Sequence, residues 1–87
     1  MKNILFVCTG NSARSIIAES IINNEYDDMY KGFSAGSNPT GKINEDVKNY
    51  LLSKHYDLSN YRSKNFNTFV NSQIKMDYVK SVDNPLF

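Results

Sequence analysis

The sequence has one cysteine, one histidine and almost no net charge, and each scarcity excludes something. A lone Cys8 cannot close an internal disulfide or build a cysteine-rich metal site, and it points to a reducing, cytoplasmic compartment. Ten Lys and Arg against nine Asp and Glu leave a formal charge of +1. That balance argues against a nucleic-acid binder held by bulk charge and against a polyacidic tail. No stretch approaches the roughly 20 apolar residues that cross a bilayer. The opening run Ile4-Leu5-Phe6-Val7 is too short for a signal-peptide core and no small-residue cleavage site follows it, so Met1 is expected to begin the mature chain. The expected partners therefore include neither nucleic acid nor membrane.

What remains is one domain. The 87 residues, 40% hydrophobic and 13% aromatic, suffice for a packed core but not for two catalytic domains. Lys2 to Val7 reads as a strand buried on both faces, because its apolar residues run on without alternation. Gly10 and Asn11 supply a turn. Ser15 to Asn24 reads as a helix with Ile17, Ala18, Ile21 and Ile22 on its apolar face and Glu19 off its centre. Tyr30 to Ala35 is a second strand closed by Gly36, which makes a βαβ unit. Asn44 is a candidate cap for a second helix that runs to about His55, with Glu45 and Asp46 in its first turn. Residues 57–71 read as irregular, anchored by Tyr61, Phe66 and Phe69. Met76 to Val82 is a candidate third strand, in which Lys80 is awkward if buried. The fold class is α/β, a short parallel sheet with flanking helices.

The chemistry concentrates in Val7-Cys8-Thr9-Gly10-Asn11-Ser12-Ala13-Arg14-Ser15. A Cys and an Arg six apart, between a strand and a helix, let the loop curl so that backbone N–H groups converge. The N-terminus of the next helix reinforces that anion cradle. Arg14 can fork onto a tetrahedral oxyanion. The positive field favours a Cys8 thiolate, the nucleophilic form. Ser15 can hydrogen-bond that sulfur. A single cysteine after a strand is more often a small core residue. Here the glycine, the asparagine, the arginine, the serine and both flanking elements favour the cradle Thr9, Gly10, Asn11, Ser12, Ala13, Arg14.

This segment resembles the signature loop of the low-molecular-weight protein tyrosine phosphatases and, more closely, of the arsenate reductases that share their fold. The likeness continues through Ser34-Ala35-Gly36, Gly41-Lys42-Ile43-Asn44, Asp57-Leu58, Arg62-Ser63-Lys64 and Met76-Asp77-Tyr78-Val79, so it covers most of residues 2 to 84. The resemblance implies that Cys8 is the nucleophile, that Arg14 stabilises the transition state and that Ser15 tunes the thiolate. It implies that Asn11 holds the loop in its curl, with Ser34 behind it. Some reductases of this type place a potassium ion near the positions of Asn11, Glu19 and Ser34; otherwise no cofactor is implied. Phosphate, sulfate or arsenate would occupy the loop, and phosphotyrosine or a small oxyanion would be the substrate.

Two departures qualify the resemblance. Family members are usually longer, and their extra length carries an Asp-Pro pair whose Asp acts as general acid. Nothing here matches it: Asp83-Asn84-Pro85 is not an Asp-Pro pair, and it falls where the family's third strand ends. The domain at 1–87 is thus expected to be shortened, and its exposed edges to favour a homo-oligomer or strand exchange. Thioredoxin-coupled reductases also relay oxidation along three cysteines. With Cys8 alone, arsenate reduction would need an external thiol. Three functions stay open: a phosphatase or arsenate reductase, a phosphocysteine phosphotransfer carrier, and an oxyanion-binding fragment without turnover. Carriers generally lack the arginine, so Arg14 favours the first. His55 is expected at a helix end, the six tyrosines in core or rim positions, and Arg62 and Lys64 in a solvated loop.

Overall fold

The Ile4–Val7 run lies in the middle strand of the sheet. The computed structural model describes residues 1–11, 13–58, 61–65, 67–70 and 72–82. Its elements are β1 (Lys2–Cys8), α1 (Arg14–Glu25), β2 (Tyr30–Gly36), α2 (Glu45–Ser53), α3 (Asn67–Val70) and β3 (Tyr78–Ser81). The strands form a parallel sheet in the order β2-β1-β3. The chain leaves β1 for one neighbour and later returns to the other, so the carboxyl end of β1 is the switch point where such sheets open a crevice. Cys8 ends β1 there, in register with Gly36 at the end of β2.

The expected α/β fold with its short parallel sheet is therefore present, with three differences in detail. First, α1 does not bury the expected face. Its buried residues are Ser15, Ile16, Glu19 and Ser20, while Ile21 is 38% exposed. The helix turns Ser15 and Glu19 inward because they belong to the loop and to the cluster behind it. Second, the 57–71 segment contains the short helix α3, whose Phe69 packs edge-on against Phe33 at 5.5 Å between ring centres. Phe66 lies outside the described residues. Third, β3 is shorter than Met76–Val82 and all four of its residues are exposed, so Lys80 meets solvent and is not buried.

Two small clusters hold the layers together. Leu5 and Ala35 are buried in the sheet, and Ile16, Leu51 and Tyr56 join α1 to α2, ringed by Ile43, Val47, Leu58 and Tyr61. The Tyr56 hydroxyl donates to the Glu25 carboxylate at the far end of α1. Asn44 caps α2 by accepting the Val47 N–H at 3.1 Å, and Glu45 and Asp46 sit in the positive first turn. His55 follows the helix in the left-handed region, with φ of 64°. Across the three strands, Ile4, Phe6, Tyr30, Tyr78 and Lys80 line an open groove.

Candidate active site

The turn after β1 is built from carbonyl groups that face away from the sulfur. The carbonyls of Cys8, Thr9 and Gly10 accept in succession from the N–H groups of Ser37 (3.1 Å), Asn38 (2.9 Å) and Thr40 (3.0 Å). A β-strand alternates its carbonyls, so three in a row toward one neighbouring segment means that the backbone has curled. Each trans peptide directs its N–H opposite to its carbonyl. The N–H groups of Thr9, Gly10 and Asn11 therefore lie on the other side of the strip, and that of Asn11 donates to Cys8 Sγ at 3.1 Å.

The left-handed position of this turn belongs to Asn11, with φ of 46°, and not to Gly10. Asparagine tolerates that region better than most residues, and its side chain is used in full. Asn11 is completely buried. Its Nδ2 donates to Ser15 Oγ at 2.8 Å, and its Oδ1 accepts from the Lys64 backbone N–H at 2.7 Å. Ser15 Oγ lies 2.9 Å from Cys8 Sγ. Because Ser15 Oγ already accepts from Asn11, its own proton is free for the sulfur. Two donors thus converge on Cys8: the Asn11 backbone and the Ser15 hydroxyl.

The sulfur also lies at the opening turn of α1. Ala13 precedes that helix without a side-chain cap, and no acidic residue stands in the first turn. The positive end of the helix is left for an anion. Arg14 begins α1 on the exposed side. Ser12 lies outside the described residues.

Gly36 and Ser63 complete the frame. A Cβ on Gly36 would stand 2.5 Å from the Thr9 carbonyl oxygen and 3.0 Å from Asn11 Cβ, so only glycine lets β2 approach the loop this closely. The Ser63 hydroxyl donates to the Gly10 carbonyl at 3.0 Å and accepts from the Gly41 N–H at 3.1 Å.

Behind the loop sits a charged cluster. Ser34 Oγ donates to the Glu19 carboxylate, and both residues are buried. The Lys64 ammonium lies 3.9 Å from Glu19 Oε1 and 3.4 Å from Ser34 Oγ, and donates to the Arg62 carbonyl at 3.0 Å. Burial pushes the Glu19 carboxyl up from its ordinary value, against the opposing pull of Lys64 and the Ser34 hydroxyl. Burial also pushes the Lys64 amine down, against Glu19 and helped by Arg62. The sequence reading of Lys64 as a solvated residue is thereby corrected; its side chain is only 11% exposed, whereas Arg62 is indeed exposed. Glu19 is likewise not a solvated helix residue.

This cluster does not fit a potassium ion. The oxygens of Glu19 and Ser34 already face an ammonium, and Asn11 Oδ1 is taken by the Lys64 N–H. A second unit cation about 4 Å from Lys64 would be repelled by roughly 4 kcal/mol at an effective dielectric of 20. Among the described residues no group of three or more His, Cys, Asp or Glu could hold a metal.

Residues 3–85 match the family described as low molecular weight phosphotyrosine protein phosphatase, and the chain belongs to that family. It is similar to an arsenate reductase solved in a phosphate-binding state, at 25% identity and a TM-score of 0.79, covering 93% of this chain and 60% of that one. It is also similar to the low molecular weight protein tyrosine phosphatase from T. tengcongensis, at 27% identity and a TM-score of 0.70, covering 93% and 58%. A third similar structure is the YwlE arginine phosphatase from Geobacillus stearothermophilus, at 30% identity and a TM-score of 0.64, covering 75% and 43%. The chain thus spans 43–60% of the length of these structures. No curated protein matches the chain. No helix among the described residues is long and apolar enough to cross a membrane.

Proposed function

We propose that this chain carries out cysteine-dependent oxyanion chemistry in a reducing, cytoplasmic setting, with Cys8 as nucleophile and Arg14 as the oxyanion clamp. One observation carries the reading most directly: Cys8 Sγ receives the Asn11 N–H at 3.1 Å and lies 2.9 Å from the Ser15 hydroxyl. Both donors stabilise negative charge on sulfur, when the thiolate attacks and again when it leaves. The substrate class is a phosphate monoester, with phosphotyrosine as the family precedent.

In the first step the Cys8 thiolate attacks phosphorus and a phosphorus–sulfur bond forms. The bond to the leaving oxygen breaks, and that oxygen takes a proton. Arg14 and the backbone N–H groups of the loop bear the charge of the equatorial oxygens. Water then attacks the phosphocysteine, releasing inorganic phosphate and restoring the thiolate. Nothing in the sequence matches the family's general acid, and Asp83 lies outside the described residues. An activated leaving group needs no such acid, whereas a poor one loses about 10²–10⁴ in rate without it.

Arsenate reduction is the related alternative. Its two electrons would come from an external thiol such as glutathione, because Cys8 is the chain's one cysteine. A binding role without turnover is the other alternative, because a loop that cradles an oxyanion holds it whether or not turnover follows. The exposed β3 supports self-association with a second copy, which light scattering would detect as a mass above that of the monomer.

The deciding experiment is release of p-nitrophenol from p-nitrophenyl phosphate by the purified chain and by Cys8→Ser. Turnover that disappears in the variant supports the enzyme reading. Equal turnover in both would overturn it. Phosphate binding without turnover in a folded chain would select the binding role.

A further inference from the structure

We infer that Lys64 is a built-in cation for the anion loop: its ammonium already faces the Glu19 and Ser34 oxygens that a potassium ion would need, and so frees the site from any need for potassium. The inference rests on the reading of the loop as an oxyanion site. It deepens that reading by naming a positioning residue outside the Cys-to-Arg motif.

Three observations converge on Lys64. Its side chain lies on the buried Glu19 and Ser34, 3.9 Å and 3.4 Å from their oxygens. Its backbone is fixed at both polar atoms: the N–H donates to Asn11 Oδ1 at 2.7 Å, and the carbonyl accepts the Gly36 N–H at 2.8 Å. Asn11 in turn reaches Ser15 Oγ, and Ser15 reaches the sulfur. An unbroken line of contacts therefore runs from the ammonium to Cys8. Clamping the side chain behind the sheet holds the residue whose backbone locks Asn11 in its left-handed turn. The same face of α1 presents Ser15 to the sulfur and, one turn on, Glu19 to the ammonium.

A burial cost without a role would be hard to account for. Both members of the pair are shifted against their charged forms by burial, so the pair is not a simple stabilising device. The ammonium also borders a polar cleft of approximately 470 Å³ that includes Asn23, Tyr61 and Phe69, so small cations can reach its position if the side chain is removed.

The test compares the wild-type chain with Lys64→Ser, Lys64→Met and Lys64→Arg. Phosphate affinity and thermal midpoints are measured in KCl, NaCl and choline chloride at equal ionic strength. The wild-type chain is expected to give the same phosphate Kd in all three salts. Lys64→Ser, which opens a polar hole, should bind phosphate about tenfold more weakly in choline chloride and recover most of that loss in KCl. Lys64→Met fills the hole and should lose affinity without recovery, while Lys64→Arg should keep most of it. Unchanged affinity in Lys64→Ser, a loss that potassium does not repair, or a potassium-specific gain in the wild-type chain would each overturn the inference. If the wild-type chain binds no phosphate, the loop reading itself fails, and the thermal midpoints still decide the role of Lys64. A potassium-specific rise confined to Lys64→Ser then supports the inference, and one in the wild-type chain overturns it.

Discussion

The two ends of the β1 neighbourhood are held in opposite ways. At its carboxyl end the loop is bonded by two separate segments, 37–40 and 63–64. The 37–40 strip takes its carbonyls, Ser63 takes Gly10, and the Lys64 backbone takes Asn11. On its flank, β3 is a four-residue strand with every side chain exposed. It is held by its ladder to β1, by the Val82 N–H on the Val7 carbonyl past its end, and by a knot at its start. There the Asn3 backbone N–H donates to Asp77 at 2.8 Å, and the Asp77 N–H returns to the Asn3 carbonyl at 2.9 Å. The loop is over-determined and the strand is minimally attached. The chemistry proposed for Cys8 needs a sulfur and its donors fixed to a fraction of an ångström, and the first region fixes them. The second is an edge that another element could cover.

Removing Arg14, the proposed oxyanion clamp, should separate the two regions most strongly. Arg14→Ala is expected to lower kcat for p-nitrophenyl phosphate by about 10³-fold with little change in thermal midpoint. An equal loss from a substitution confined to β3, such as Val79→Ala, would erase the distinction. The next effect belongs to the charged cluster. Glu19→Ala strands a buried ammonium and should cost about 3 kcal/mol in chemical denaturation. The double change Glu19→Gln with Lys64→Met should restore most of that stability while phosphate binding stays weak. Recovery of both together would contradict the account.

Gly36→Ala probes the close approach of β2. The added methyl meets a backbone oxygen that no rotamer can move aside, so a loss of about 2 kcal/mol is expected together with weaker phosphate binding. A neutral substitution would mean that the loop is looser than its bonds imply. The smallest effect belongs to β3. The Asn3 N–H holds the Asp77 carboxyl below its ordinary value, so its contribution exists above the unfolded value and disappears as pH falls through the folded one. Asp77→Asn should therefore lower the thermal midpoint slightly at pH 6, and the gap should close as the pH is brought below 3.8. A gap of the same size at both pH values would assign the effect to packing instead.

The same contrast explains what the sequence disclosed. The loop was legible because its chemistry is local: cysteine, asparagine, arginine and serine stand within eight residues, between a strand and a helix that each announce themselves. The cap at Asn44 and the strand at Tyr30 are local signals too. The inward face of α1 was misread because hydropathy favours Ile17, Ala18, Ile21 and Ile22. The fold instead turns Ser15 and Glu19 toward the loop and the sheet. Lys64 was missed for a different reason. It lies 45 residues from Glu19 in a polar segment, and nothing local distinguishes a lysine destined for a buried carboxylate from one in solvent. Only the topology, which carries the chain past the end of β2 at Asn65, brings the two together. The short α3 was hidden by the same asparagine-rich composition.

The central claim is that Cys8 does covalent chemistry in a loop built to hold an oxyanion. The most direct measurement is acid quenching during turnover of p-nitrophenyl phosphate, followed by intact-mass and peptide analysis. The account predicts a chain heavier by one phosphoryl group, with the adduct on Cys8 and absent from Cys8→Ser. Turnover without that adduct, or an adduct on any other residue, would contradict it.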